Sequence, residues 1–211
     1  MTQLVLASTS PARLALLRAA GIEPVIIAPG VDEDAVAARA ESMGLIGSVP
    51  DLVHVLAKAK ADAVAAHPDA RGRVIIACDS SLELDGVSLG KPHEPQVAID
   101  RWKSMRGRSG VLHTGHWVID NREPNQGGLQ PATGQVTSTV VHFADLTDAE
   151  IEAYVATGEP LKVAGAFTID GRGGAFIRAI EGDTHTVIGL SLAALRAACQ
   201  QLGVEYTSLW A

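Results

Sequence analysis

The sequence predicts an α/β fold on a mixed β-sheet, and three observations predict it. Short apolar runs alternate with segments of helical period, hairpin signals join some of the runs, and apolar residues make up 47% of the 211. With a mean hydropathy of +0.18 such a chain can bury a sizeable core. The length allows one large domain or two small ones, and no internal repeat or low-complexity block divides it.

Leu4–Ala7 reads as a short buried strand. "SPARLALLRAAG" reads as the helix after it, with Ser10 as N-cap, Pro11 at the first helical position and Gly21 as the stop. Val25–Ala28 is a second strand, and residues 34–44 carry helical patterning. "PDLVHVLAKAKADAVAAHP" at 50–68 forms the next helix, with Leu52, Leu56, Ala59 and Ala63 stepping along one face. "RVIIACDSSLEL" at 73–84 is strand-like, and Asp85-Gly86 is a hairpin turn into "VSLGKP". A helix is predicted over 95–105 and strands over 111–119 and 135–144, separated by the polar "DNREPNQGGLQPATG", an exposed hairpin loop. Thr147 with Glu150 is a capping box opening a helix to about Ala156, and a last helix runs near Leu190–Leu202.

The formal charge of −7 and the pI near 5.4 argue against the basic stripe that a polynucleotide requires. A local basic pocket for one small anion remains compatible. Cys78 and Cys199 lie far apart and form no CxxC or Cys/His metal spacing, which suits a reducing cytoplasm. Met1–Ala7 lacks the features of a signal peptide, and no stretch has the apolar length a bilayer demands, so neither export nor a membrane is expected.

Chemistry is expected first at "LASTSPAR". A strand running into a helix N-terminus presents unpaired N–H groups and the positive end of the helix dipole. The Ser8 and Ser10 hydroxyls add donors and Arg13 adds a bidentate one, making a phosphate cradle without the glycines of a P-loop. Taken alone, the same residues read more simply as a cap, a strand-end hydroxyl and a solvated arginine.

Asp79 ends a run of five apolar residues, where alternation puts it opposite Cys78. A carboxylate there needs a cation or several donors, and a divalent metal is the natural partner; a strand-end turn is the plain alternative. "VDED" offers Asp32 and Glu33 as oxygen ligands for a hard cation, although acidic runs are usually just solvated. At about 100° per residue, Lys60 sits beside the apolar stripe of its helix and can reach an interior cleft, while Lys58 points away and pairs with Asp62. Lys91 follows a hairpin that folds its strand back on the one carrying Asp79. A surface lysine is the plain alternative for both Lys60 and Lys91.

"GVSLG" at 86–90 matches the GxSxG pattern of serine hydrolases, but it starts in a hairpin turn and runs into Lys91-Pro92 rather than a strand-to-helix elbow. His113 and His116, three apart on a strand, face opposite ways. Trp102, Trp117 and Trp210 are too scattered to stack bases and read as core or interface packing.

Together these pieces resemble the Maf family of nucleotide pyrophosphatases, from about Leu4 to Leu195. "LASTSPAR" is similar to the family's SxSPRR opening, "PGVDE" to its acidic segment, "LAKAKA" to its LAxxKA helix, "ACDSSLELDG" to its G-A-D strand and hairpin, and "LGKP" to its lysine motif. "GEPLKVAGAFTIDGRGGAFIRAIEGDTHTVIGLSL" resembles its C-terminal block. The resemblance implies a single domain over 1–211 with an elongated mixed sheet flanked by helices, two lobes and a cleft between them, in a cytoplasmic homodimer. It implies hydrolysis of a nucleoside triphosphate between the α and β phosphorus atoms, with Mg²⁺ or Mn²⁺. By the same resemblance Asp79 is the catalytic carboxylate, Glu33 and Asp79 hold the metal, and Arg13, Lys60 and Lys91 bind phosphates beside Ser8 and Ser10.

The chain departs from the family pattern at several places. Ala12 replaces the first arginine, Lys162-Val163 replace Asp-Lys, Phe167 replaces Tyr, and Asp170 stands where the pyrimidine-acting branch has Gln. A carboxylate only accepts hydrogen bonds, which suits the two neighbouring N–H donors of guanine. The branch acting on 7-methylated GTP resembles this chain in carrying an acid there, so the expectation leans away from dTTP and UTP. Two rival functions stand beside the enzyme: a nucleotide-binding regulator of septum formation without turnover, and a serine hydrolase using Ser88.

Overall fold

A computed structural model describes residues 2–122 and 130–211. Of the hairpin loop expected over 120–134, residues 123–129 lie outside the described residues, while Asp120 and Asn121 end one strand and Ala132–Gly134 begin the next. Among them the chain order is β1 (Leu4–Leu6), α1 (Pro11–Ala19), β2 (Val25–Ile26), α2 (Glu33–Ser42), α3 (Val49–Ala65), β3 (Arg73–Leu84), β4 (Val87–Leu89) and α4 (Pro95–Met105). It continues with β5 (Ser109–Asn121), β6 (Ala132–Phe143), α5 (Asp148–Ala156), β7 (Ile177–Glu181), α6 (Thr184–Ile188) and α7 (Leu192–Gln201). The strands form one sheet in the order β2-β1-β3-β5-β6-β7, with β4 beside β3. β1 is parallel to β2 and β3, whereas β4 and β7 run antiparallel to β3 and β6, so the sheet is mixed. No helix among the described residues is long and apolar enough to cross a membrane.

The chain divides into two compact units, to each of which β3, β5 and β6 contribute residues. The first comprises the described residues up to Asp79, those of Thr114–Thr137, and Gly189–Ala211. Its strand β1 and the Val74–Cys78 stretch of β3 are buried on both faces, which is why they read as unbroken apolar runs. Leu4, Leu6, Val74, Ile76 and Cys78 pack with Leu17 of α1 and Leu195, Ala198 and Cys199 of α7. Val5, Ala7, Ile75 and Ala77 point the other way, against Ala61 and Val64 of α3. Each large aliphatic side chain so buried stabilises the fold by about 1.5–3 kcal/mol.

α3 corrects the expected face. Its buried residues are Val49, Val53, Leu56, Ala57, Lys60, Ala61 and Val64, while Ala63 is exposed. Lys60 therefore stands within the buried stripe rather than beside it. The helix comes close to the sheet at Gly115 of β5, where an added Cβ would lie 2.2 Å from the Val53 carbonyl oxygen. A glycine inside a strand often marks such a backbone approach.

The second unit comprises Ser80–His113 and Ser138–Ile188. Trp102 of α4 packs edge-on against Phe143, Tyr154 and Phe176, and its indole N–H donates to the Ala166 carbonyl at 2.7 Å. The β3–β4 turn is the expected one: Asp85 and Gly86 have φ of 54° and 77°, the left-handed pair of a two-residue hairpin. Thr147 and Glu150 form the expected capping box at the start of α5. β7 and α6 were not expected. In β7 the apolar residues Ile177 and Ile180 are three apart, which breaks strand alternation. A register shift absorbs the extra residue, so Ile177 and Ile180 pair with Phe143 and Val141 of β6.

Candidate active site

The first unit gathers chemistry at the carboxyl end of its parallel strands. Leu6 of β1 pairs with Ile26 and with Ile76, so β1 and β2 end level with one another, and Asp79 follows three residues beyond Ile76. Open α/β sheets bind ligands at this end of their strands.

At the β1–α1 junction Ser10 is the N-cap, accepting from the Arg13 N–H at 3.4 Å, with Pro11 as the first helical residue. Ser8, nearly buried, accepts from the Ser10 N–H and from Arg13 Nη1, both at 3.2 Å. Arg13 reaches further: Nε donates to the Gly189 carbonyl at 2.7 Å and Nη1 to the Cys78 carbonyl at 2.8 Å. The guanidinium thus ties α1 to β3 and to the start of the C-terminal segment. These carbonyl anchors, on Cys78 and Gly189, have no signature in the sequence.

The residue after Cys78 belongs to a second cluster. By strand alternation Asp79 follows Ile75 and Ala77 onto the α3 face, and Lys60 lies one helical turn before Val64 on the facing stripe. Lys60 Nζ contacts Asp79 Oδ1 at 2.6 Å and Glu33 Oε1 at 2.8 Å. One ammonium therefore holds two carboxylates only a few ångströms apart, although they are far apart in sequence. The Lys60 and Asp79 side chains are 9% and 13% exposed, so their attraction is screened little; Glu33, at 44%, is more open to water. At an effective dielectric constant near 20 the Lys60–Asp79 attraction is about 6 kcal/mol before desolvation is subtracted.

Asp32, the other acid of its run, is the N-cap of α2 and accepts from the Ala35 N–H at 3.0 Å, so its carboxylate serves the helix. Cys78 is fully buried, and that burial pushes its thiol up to about 12, which makes it a core residue and not a nucleophile. Lys58 pairs with Asp62 on the exposed side of α3, as expected.

Lys91 and Asp170 belong to the second unit, and both are exposed. Lys91 follows Gly90, whose carbonyl accepts from Arg101 Nη1 and from the Gly165 N–H. Asp170 lies in the turn between Thr168 and Gly171. Ser88 stands on β4 with its hydroxyl 2.7 Å from that of Ser81, inside a hairpin rather than at an elbow. His113 bonds Ser138 and Glu83 within the second unit, whereas His116 of the first accepts from the Ser191 N–H. Glu159, which sequence reasoning passed over, accepts hydrogen bonds from Tyr154, Thr168, Arg172 and Gly173. Its only sequence signal is the glycine-rich "DGRGG" that wraps it.

A mixed-sheet α/β protein with acids and cations at the ends of parallel strands belongs among small-anion binders and phosphate-handling enzymes. Comparison narrows this. The model of the Maf-like protein family matches residues 3–202. A nucleoside triphosphate pyrophosphatase of Leifsonia xyli is 53% identical over 99% of this chain and 96% of its own length. Proteins of the same name from Streptomyces coelicolor and Rhodococcus opacus are 51% and 48% identical, over 99% and 100% of this chain and 95% and 97% of theirs. Among solved structures the Ham1 protein of Staphylococcus aureus is a weak likeness, with a TM-score of 0.38 and 13% identity over 95% of this chain and 96% of its own. The chain belongs to the Maf-like protein family.

Proposed function

We propose that this chain is a nucleoside triphosphate pyrophosphatase, which hydrolyses the α–β anhydride of a nucleotide to a monophosphate and pyrophosphate. The observation that carries the reading is the convergence of Glu33 and Asp79 on Lys60, next to the Ser8–Arg13 junction. Full-length relatives of about half identical sequence, all named for this activity, support it.

Each residue has a role in this reading. Asp79 keeps Oδ1 on Lys60 and offers Oδ2 to the attacking water, whose proton it accepts as the oxygen adds to the α phosphorus. The α–β P–O bond breaks and its electron pair leaves with pyrophosphate. The leaving group gains negative charge, so cations already in place lower the barrier. Lys60 and Arg13 supply that charge to the polyphosphate, with the Ser8 and Ser10 hydroxyls and the α1 N-terminus, and Lys91 is added as a phosphate cation on the family resemblance alone. Asp170 accepts hydrogen bonds from the base.

A divalent ion, Mg²⁺ or Mn²⁺, fits the paired carboxylates of Glu33 and Asp79, which are hard oxygen donors. Among the described residues no group of three or more His, Cys, Asp or Glu side chains is placed to hold a metal. Two carboxylates suit an ion completed by water and substrate phosphates. When bound, such an ion neutralises phosphate charge. We carry the rest of the resemblance into the same proposal: one domain, acting as a cytoplasmic homodimer. Light scattering on the purified chain tests the dimer.

The activity is tested by incubating the protein with Mg²⁺ or Mn²⁺ and a panel of canonical and methylated nucleoside triphosphates, separating the products by chromatography. At least one nucleotide is expected to give monophosphate and pyrophosphate, and Asp79→Asn is expected to lower that rate by at least ~100-fold. Unchanged turnover in a folded Asp79→Asn variant overturns the assignment.

A further inference from the structure

Glu159 begins the turn after the left-handed Gly158, and none of the roles above uses it. Its carboxylate accepts from the Tyr154 hydroxyl at 2.9 Å, the Thr168 hydroxyl at 2.7 Å, and the N–H groups of Arg172 and Gly173, both at 3.0 Å. The donors come from α5 and from both sides of the turn that carries Asp170. Tyr154 is itself rigid, packed edge-on against Trp102 and Phe176 at 5.6 and 5.3 Å between centroids. Desolvation pushes the Glu159 carboxyl up, but the bonds from Thr168, Gly173, Arg172 and Tyr154 outweigh it and bring it down to about 2.

The turn is shaped to this carboxylate. A Cβ at Gly171 would lie 2.8 Å from Glu159 Oε1, and one at Gly173 would lie 2.4 Å from the Tyr154 hydroxyl. Only glycine lets the chain wrap the group so closely. Thr168 and Arg172, two residues either side of Asp170, are both tied to Glu159, while Asp170 is exposed. The turn thus presents one exposed carboxylate on a backbone clamped by another.

We propose that Glu159 is a positioning residue, which fixes Asp170 and so sharpens the choice of nucleobase without touching the nucleotide. The inference rests on the reading that Asp170 contacts the base. Discrimination by a hydrogen-bond acceptor depends on where the acceptor stands, so a loosened turn loses selectivity before it loses turnover.

The test measures kcat and KM on GTP, ATP, UTP and dTTP for the wild type, Asp170→Asn, Glu159→Gln, the double variant and Thr168→Val, each checked for folding by circular dichroism. Glu159→Gln is expected to lower the kcat/KM ratio between best and worst nucleotide by about tenfold, mainly by raising KM for the best one. It should add nothing in the Asp170→Asn background. Thr168→Val should shift the ratio in the same direction by less, and it carries the test if Glu159→Gln does not fold. An equal loss on all four nucleotides, or an unchanged ratio while Asp170→Asn does alter it, overturns the inference. If Asp170→Asn leaves the ratio unchanged, the base-contact reading itself fails.

Discussion

Replacing Lys60 by methionine keeps most of the side chain's apolar length and removes its charge, leaving two carboxylates facing one another. Asp79, 13% exposed, is stranded as a nearly buried charge, a change that costs about 3–5 kcal/mol where burial is complete. Glu33 is 44% exposed, so water screens its share to about 0–1 kcal/mol. Asp79 can recover some hydration at its exposed edge, which sets the expected destabilisation at about 2–4 kcal/mol. Urea unfolding at low ionic strength with a chelator measures it directly. Added Mg²⁺ should then stabilise Lys60→Met more than the wild type, because the competing ammonium is gone; the gain is about 1.4 kcal/mol at ten times its Kd. A variant within about 0.5 kcal/mol of the wild type, with no response to Mg²⁺, would refute the convergence of these three side chains.

Glu159→Gln makes a pH-dependent prediction. The folded carboxyl titrates at about 2, below its ordinary 4.5, so its stabilisation is present above pH 4.5 and is lost as pH falls from there toward 2. Discounted for solvent screening it is about 1–2 kcal/mol, so the gap between wild type and variant in urea should close over that window; a gap constant from pH 7 to pH 2.5 contradicts it. Gly115→Ala forces a Cβ to within 2.2 Å of the Val53 carbonyl oxygen and should cost roughly 3 kcal/mol or more, seen as a lowered Tm; an unchanged Tm would show that α3 does not press on β5 there. Ser88→Ala should keep pyrophosphatase activity within about twofold, and a fluorophosphonate probe should not label the wild type; labelling lost in the variant would revive the hydrolase reading.

How much was legible in the sequence varies from one element to the next, for physical reasons. The β1–α1 junction, β3 with its hairpin, and the α5 cap were readable because their signals are local: Ser10-Pro11, Asp85-Gly86, and Thr147 with Glu150. The face of α3 was misjudged because alanines occupy both Ala57 and Ala61, which are buried, and Ala59 and Ala63, which are not. Asp79 and Lys60 could be singled out by alternation and helical phase. That Glu33 shares the same ammonium depends on tertiary packing, which no spacing encodes; the family resemblance placed Glu33 in the site with Asp79 but assigned Lys60 to phosphate. Glu159 was invisible for the same reason, since its donors are spread from Tyr154 to Gly173 through irregular turns.

The most direct test of the proposed chemistry is hydrolysis in ¹⁸O-water, with the products separated and weighed by mass spectrometry. Attack at the α phosphorus predicts that the label enters the nucleoside monophosphate and that pyrophosphate leaves unlabelled. Nucleoside diphosphate with orthophosphate, or label in the pyrophosphate, would contradict it.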